Sequence, residues 1–197
     1  MGRTAGSSGS RTMEAIVRAG FDLFYEHGYE GTTLRQLAAE VGIQQGSLYN
    51  HILSKQDLLA YLCRQHMEAL LTALDSALAG VTDPAEQLRT FVAFHVGYHV
   101  ERKREVFVVN SEIRSLEPAN RAAAVALRRR YEQRLAGILA AGHESGEFAV
   151  ADAPVTTFGI LGMLSGICTW YDPCGRVPRD VLSQIYISMI MKAVAGP

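Results

Sequence analysis

The chain has 197 residues, 48% of them hydrophobic, and a formal net charge of −1. This length and apolar content allow one domain, or a small domain joined to a larger one. The charge excludes the strongly basic class of protein that coats nucleic acid. The sequence also lacks a run of about 18 consecutive apolar residues, so no membrane-spanning segment is expected. Three cysteines without CxxC spacing predict reduced thiols and a cytoplasmic location.

The sequence predicts an all-α protein of about nine helices. Strand-type alternation is absent, and proline or glycine recurs at intervals of about 20 residues. Residues 1–10 are rich in glycine and serine and lack the apolar stretch of a signal peptide, so we expect a flexible arm there.

Residues 11–57 predict a head of three short helices. The first runs from about Ser10 to His27, and Gly28 ends it. The second begins at Thr33, which forms a capping box with Gln36, and Gly42 stops it. After a three-residue turn, a third helix over residues 47–51 follows. Two short helices joined by a glycine turn are the arrangement of a helix-turn-helix.

Residues 58–197 predict a larger helical domain. Ser54 and Asp57 cap a fourth helix that continues to about Gly80. The remaining predicted helices cover about 83–101, 104–116, 118–143, 154–171 and 178–195.

Four linked motifs in the head resemble the TetR family of transcriptional regulators. They are Gly28–Leu34 (GYEGTTL), Gln36–Ile43 (QLAAEVGI), Gly46–His51 (GSLYNH) and Ser54–Leu59 (SKQDLL). The match covers about residues 11–59, in order and with the family's spacing. The resemblance implies a ligand-responsive regulator, usually a repressor, that binds a near-palindromic operator as a dimer.

The resemblance also implies which residues contact operator DNA. Thr33 at a helix start, Tyr49, His51 and Lys55 suit phosphates, and Arg3 or Arg11 suits a phosphate or the minor groove. Base contacts fall to Gln44, Gln45, Ser47 and Asn50. Two positions depart from the family, since Gln44 replaces the usual Ser or Thr cap and Ile52 the usual Phe. The alternative for each polar residue is a solvated surface position.

The last two predicted helices are hydrophobic beyond a single stripe, which indicates burial on several sides. In TetR-like proteins these helices pair with their symmetry mates in a four-helix bundle. The resemblance therefore implies a homodimer through the last two helices, and the alternative is that they complete a monomer core.

The middle helices mix apolar and polar side chains as ligand pockets do. The segment Trp170–Pro178 resembles the corresponding loop of a TetR subgroup whose members respond to acyl-CoA thioesters. Arginine side chains are suitable partners for the diphosphate of CoA. The alternative is a loop that is merely a turn, with Trp170 in an interface. The candidate effector residues are Phe91, His95, Tyr98, His99, Phe107, Asn110, Arg114, Arg121, Trp170 and Arg176, with Met67 and Tyr131 as further lining.

Other classes of function remain open at this point. A TetR-like sensor of cationic or hydrophobic drugs needs aromatic side chains and buried carboxylates. A small helical enzyme needs a catalytic motif, and the sequence has no GxSxG, P-loop or HExxH. His95 and His99 have a spacing that can hold a metal, but no nearby Cys or carboxylate completes a site. We predict no metal and no cofactor.

Overall fold

A computed structural model describes residues 6–195, and residues 1–5, 196 and 197 lie outside the described part. Within residues 6–195 every regular element is helical, which confirms the predicted all-α fold. A short 3-10 turn covers Glu112–Ser115. The α-helices are α1 (Gly6–Gly31), α2 (Leu34–Val41), α3 (Gln45–Leu48), α4 (Lys55–Leu78), α5 (Pro84–Glu101), α6 (Lys103–Ser111), α7 (Pro118–Glu144), α8 (Ala153–Ser165), α9 (Ile167–Trp170) and α10 (Arg179–Val194).

The helix boundaries depart from the predicted ones near residue 6, after Ser111 and at Gly166, besides the difference at α3 described below. α1 already includes residues 6–10, five residues of the predicted arm, and Ser10 donates a hydrogen bond to the Glu14 carboxylate 3.2 Å away. α6 ends at Ser111 and the chain continues as the 3-10 turn, whereas the sequence predicts helix to residue 116. The single helix predicted over 154–171 is divided at Gly166 into α8 and α9. Gly162 and Gly166 lower the helix propensity of this stretch.

The chain forms two compact units that alternate along the sequence. Among the described residues, the first comprises the chain up to His66 together with Arg104–Val125, and the second comprises Met67–Lys103 and the chain from Ala126 onward. The predicted boundary at residue 57 differs from this division because α6 and the start of α7 belong with the head. The side chain of Gln56 fixes this segment by donating to the Ser115 carbonyl at 2.6 Å and accepting from the Glu117 amide at 3.1 Å.

The glycine and capping predictions for the head are confirmed. Gly28 interrupts α1 at φ 72° and ψ 166°, a backbone region that is essentially restricted to glycine. Thr33 and Gln36 form the capping box, and Gly42 ends α2 in the left-handed conformation at φ 74°. The core of this unit is apolar, and its fully buried side chains include Ile16, Phe24, Leu37, Leu48, Leu58, Leu59 and Leu62.

In the second unit α10 packs along α5, and α5 also contacts α8 and α9. The core side chains include Leu74, Leu88, Phe91, Leu135, Leu139, Leu164 and Ile190. One face of each terminal helix remains exposed. Val155 and Phe158 of α8 and a stripe on α10 formed by Val181, Ile185 and Met189 are 44–66% exposed.

The segment Ala153–Trp170 has the length and mean composition of a membrane-spanning helix, although it is not a run of consecutive apolar residues. Its mean hydropathy is 1.3 over 18 residues, it is only 22% buried, and among the described residues it alone is long and apolar enough to cross a membrane. The division at Gly166 interrupts this segment as a continuous helix. An exposed apolar surface of this kind marks a site of interaction with another protein surface or with a membrane.

Gly142 near the end of α7 allows the close approach of Phe148. A Cβ atom at Gly142 would lie 2.7 Å from Cγ of the Phe148 ring, and Phe148 is only 4% exposed. We expect Gly142→Ala to lower the free energy of unfolding by about 1–3 kcal/mol, because a buried ring has to move. Gly137→Ala in the same helix is the control, since its Cβ would meet no described atom within 4 Å. The control is expected to raise stability by up to about 1 kcal/mol. Equal urea midpoints for the two variants would contradict this account.

Candidate functional site

The segment around α3 presents a polar surface over a buried anchor. Leu48 is 0% exposed and holds the helix on the head, whereas Tyr49 is 49% exposed. The predicted base-contacting side chains Gln44, Gln45, Ser47 and Asn50 are all exposed, and His51 is half-buried. The structure therefore brings the predicted contact residues of this segment onto one short, rigidly anchored stretch.

The helix itself is shorter than the sequence predicts and begins earlier, at Gln45 rather than residue 47. Gln44 is its N-cap and makes no side-chain capping bond, as expected for glutamine. Residues 49–51 form turns closed by Asn50 N–H to the Ser47 carbonyl at 3.2 Å and His51 N–H to the Leu48 carbonyl at 2.9 Å. The departure from the family at Gln44 thus leaves α3 without a side-chain cap.

Thr33 uses its polar groups within the capping box. Its amide donates to Gln36 Oε1 at 2.8 Å, and its hydroxyl oxygen accepts from the Gln36 amide at 3.2 Å. Residue 33 is exposed at the start of α2, where free N–H groups favour an anion. A phosphate contact by Thr33 stays a prediction. Arg11 lies on α1 and is exposed, and Arg3 lies outside the described residues.

Lys55 has a structural role that its motif does not reveal. Its ammonium group donates to the carbonyls of Tyr29 at 2.8 Å and Thr32 at 3.0 Å. The same nitrogen lies 4.2 Å from the centroid of the Tyr29 ring. The half-buried cation therefore ties the start of α4 to the segment before α2. The phosphate contact by Lys55 stays a prediction, and the structure adds a positioning role for the same side chain.

Four of the predicted effector residues belong to the first unit and do not line a buried site there. Phe107 is 47% exposed, and its ring packs edge-on against Tyr25 with centroids 5.1 Å apart. Asn110, Arg114 and Arg121 are exposed. Arg121 donates to the carbonyl of Arg114 at 2.9 Å, so it closes the 3-10 turn. The effector role of these four residues stays a prediction, and in the described structure they lie on the surface of the first unit.

An ion pair fixes the same helix on the head. The Arg104 guanidinium lies 2.6 Å from the Asp22 carboxylate, with Glu26 at 3.9 Å. The hydrogen bond that Arg104 donates to Asp22, together with the negative charge of Asp22, raises the pKa of Arg104. His66 and Glu105 form a second contact at 3.1 Å between α4 and α6. The sequence alone gives no signal for either pair, since the partners are 82 and 39 residues apart.

In the second unit the structure brings four predicted aromatic residues together. Phe91, His95, Tyr98 and His99 of α5 are buried. The rings of His95 and His99 are stacked with centroids 3.6 Å apart, as their four-residue spacing predicts. Tyr131 of α7 completes the cluster through a 2.9 Å hydrogen bond between its hydroxyl and His95 Nδ1. That partner, 36 residues away, has no local sequence signal.

The two effector candidates at the end of α9 and in the loop that follows are on the surface. Trp170 is 55% exposed and Arg176 is exposed. The loop is held by its neighbour Tyr171, whose hydroxyl donates to the Val177 carbonyl at 3.2 Å. Lys103 Nζ donates to the Tyr171 carbonyl at 3.3 Å. Trp170 and Arg176 therefore present an aromatic face and a cation to solvent. Over the described residues, no group of three or more His, Cys, Asp or Glu side chains is placed to hold a metal ion.

Comparisons with known proteins match both parts of the chain. Residues 16–62 match the family described as bacterial regulatory proteins, tetR family, and residues 81–194 match the family described as tetracyclin repressor-like, C-terminal domain. The HTH-type transcriptional repressor KstR2 of Rhodococcus jostii is 27% identical over 98% of this chain and 95% of its own length.

Two solved structures extend the likeness to the fold. The TetR family regulator PfmR of Thermus thermophilus is 33% identical, with a TM-score of 0.82 over 90% of this chain and 97% of its own. AibR in complex with isovaleryl coenzyme A and operator DNA is 25% identical, with a TM-score of 0.85 and the same coverage of 90% and 97%.

Proposed function

Because this chain belongs to the TetR family of bacterial transcriptional regulators, we propose that it is a dimeric repressor released from its operator by an acyl-CoA thioester. The observation that carries this proposal is the exposed polar surface around α3, held on the head by the fully buried Leu48. A helix fixed in this way can enter a major groove with its exposed side chains toward the base edges. We propose a cytoplasmic location, where operator DNA and CoA thioesters are both accessible.

The direct DNA contacts proposed here divide into two kinds. Gln45 and Asn50 carry amide groups able to pair bidentately with adenine, and Gln44 and Ser47 lie beside them. Tyr49 and His51 suit phosphate oxygens, since each places a hydrogen-bond donor at the edge of the same surface. Residues 1–57, the predicted arm and head, carry five basic and six acidic side chains. We therefore expect positioned contacts, more than general attraction, to supply the affinity.

We propose that the exposed apolar surfaces of α8 and α10 form the dimer interface. Val181, Ile185 and Met189 are spaced four residues apart on α10 and form one stripe. Exposed Gly159 and Gly162 on α8 leave room for a close helix approach. A second copy of the chain would cover both surfaces and would supply the second half-site contact.

The cluster around His95 and the solved complex of a relative both support an acyl-CoA thioester as the effector. AibR binds isovaleryl coenzyme A in its solved complex. Among the described residues the buried polar side chains are Thr32, His66, His95, His99 and Thr157, and the set contains no carboxylate. This composition disfavours the alternative function, a sensor of cationic drugs, because a buried cation needs an anionic partner. Exposed Arg176 is available to the CoA phosphates.

The proposed function is tested by selecting DNA from a random pool and then measuring release. We expect a near-palindromic site with half-site centres about 34–36 Å apart, or at a wider family spacing. Isovaleryl-, octanoyl- and palmitoyl-CoA are then compared with free CoA and with crystal violet for thermal shift and for operator release by fluorescence anisotropy. An acyl-CoA should release the DNA by binding more tightly to the conformation that does not fit the operator. A preference for the dye, or no response to any acyl-CoA, would refute the effector class.

A further inference from the structure

His95 Nε2 is a buried polar atom without a hydrogen-bond partner among the described residues. The residue is 1% exposed. An unsatisfied buried group of this kind destabilises the folded state, so native proteins rarely retain one without a reason. A bound molecule that supplies the missing partner is such a reason.

The surroundings of this atom are aromatic side chains. The Phe91 ring lies 6.1 Å from the His95 ring and 5.3 Å from the Tyr131 ring, centroid to centroid, and the His99 ring is stacked on the His95 ring at 3.6 Å. Burial lowers the pKa of His95 well below its usual value of 6.5, and the charge of His99 lowers it further. The imidazole is therefore neutral at pH 7 and carries one N–H.

Tyr131 decides which nitrogen carries that proton. Burial raises the pKa of Tyr131, so its hydroxyl stays protonated. If the hydroxyl donates to His95 Nδ1 across the 2.9 Å contact, only Nε2–H is left without a partner. If Nδ1 donates instead, the phenol hydrogen loses its acceptor as well, and two groups are unsatisfied. The first arrangement costs less, and it makes Nε2–H a donor.

We propose that His95 Nε2–H donates a hydrogen bond to the carbonyl oxygen of the effector's acyl thioester, with Tyr131 holding the imidazole in the required tautomer. This inference rests on the proposed function, since it assigns the contact made by the acyl end of an acyl-CoA. A neutral carbonyl is favoured over a carboxylate because burying an anion beside a neutral imidazole leaves its charge uncompensated. Tyr131 acts through His95 and is a positioning residue.

The test compares thioesters with thioethers that lack the carbonyl. Octanoyl-CoA is paired with S-octyl-CoA, and isovaleryl-CoA with S-(3-methylbutyl)-CoA, in calorimetric titrations of the full chain. The wild type is expected to bind each thioester about 3- to 10-fold more tightly than its thioether, the effect of one net hydrogen bond. His95→Phe should reduce that ratio to about 1 while leaving the thioether affinity unchanged, and His95→Gln, which keeps a donor, should restore part of it.

Stability of the protein without effector gives a second, independent readout. The double variant His95→Phe/Tyr131→Phe removes both polar groups, so it should unfold at the same temperature as the wild type or a few degrees higher. Tyr131→Phe alone leaves His95 Nδ1 without its hydrogen-bond partner and should unfold at a lower temperature than the wild type. A double variant that melts well below the wild type would show that Nε2 already has a partner such as buried water, which would overturn the inference.

The outcomes of the two proposals can be told apart. If thioesters and thioethers bind His95→Phe with the wild-type ratio, the carbonyl contact is wrong and the effector class stands. If no CoA compound binds the wild type at all, the effector class is wrong and this inference falls with it.

Discussion

Ile185→Arg is expected to convert the protein to a monomer and to weaken operator binding by about 100-fold or more. Ile185 is 44% exposed in the centre of the α10 stripe, with Val181 and Met189 one turn away on either side. In a symmetric interface the new cation would be buried without a partner, close to its own symmetry copy, which is strongly unfavourable. A monomer contacts only one half-site. Linking two half-site contacts in one dimer typically raises the affinity for the whole operator by about 10²- to 10⁴-fold.

Ala141→Arg is the matched control for this prediction. It adds the same charge at an exposed position of α7, in the same compact unit but outside the stripe. Sedimentation at micromolar concentration and operator titration should leave the control dimeric and tightly bound. A dimeric Ile185→Arg protein with wild-type affinity would place the interface elsewhere. A wild-type chain that partitions into lipid vesicles as a monomer would mean that a membrane covers Ala153–Trp170.

The head could be predicted closely because its determinants are local. Gly28 and Gly42 adopt positive φ angles that glycine tolerates best, and Thr33 with Gln36 forms a capping box within three residues. Each of these features involves a few neighbouring residues, so a motif in the sequence specifies it. The same argument explains why the stacking of His95 and His99 follows from their spacing on α5.

The effector candidates are harder to predict because they depend on which face of a helix meets which neighbour. Phe107 on α6 has the composition of a pocket residue, yet its ring packs on Tyr25 of α1, 82 residues earlier in the chain. The helix-to-helix partners of α6 are set by tertiary contacts, such as Arg104 with Asp22, that leave no periodic trace in the sequence. Tyr131 is a plausible lining residue from sequence, but its pairing with His95 Nδ1 requires the fold.

The contacts of Lys55 also depend on the tertiary fold and are not evident from its motif. Its motif suggests a phosphate contact, but its ammonium group is held by the carbonyls of Tyr29 and Thr32. We expect Lys55→Met to keep the apolar stem, lose both charge-assisted hydrogen bonds and the contact with the Tyr29 ring, and lower the free energy of unfolding by about 2–4 kcal/mol. The measurement is the urea midpoint of the full chain.

The salt dependence of operator binding separates this positioning role from a phosphate contact. A lost phosphate contact flattens the slope of log K against log salt by about 0.9 for each cation removed, or about 1.8 for a dimer. A positioning residue leaves the slope unchanged and weakens binding by disordering the segment before α2. Tyr49→Phe is the comparison, because Tyr49 is 49% exposed and we expect its hydroxyl to be removable without loss of stability. If Lys55→Met flattens the slope of log K against log salt and unfolds at the wild-type urea midpoint, Lys55 contacts a DNA phosphate directly, since only a direct contact releases counterions.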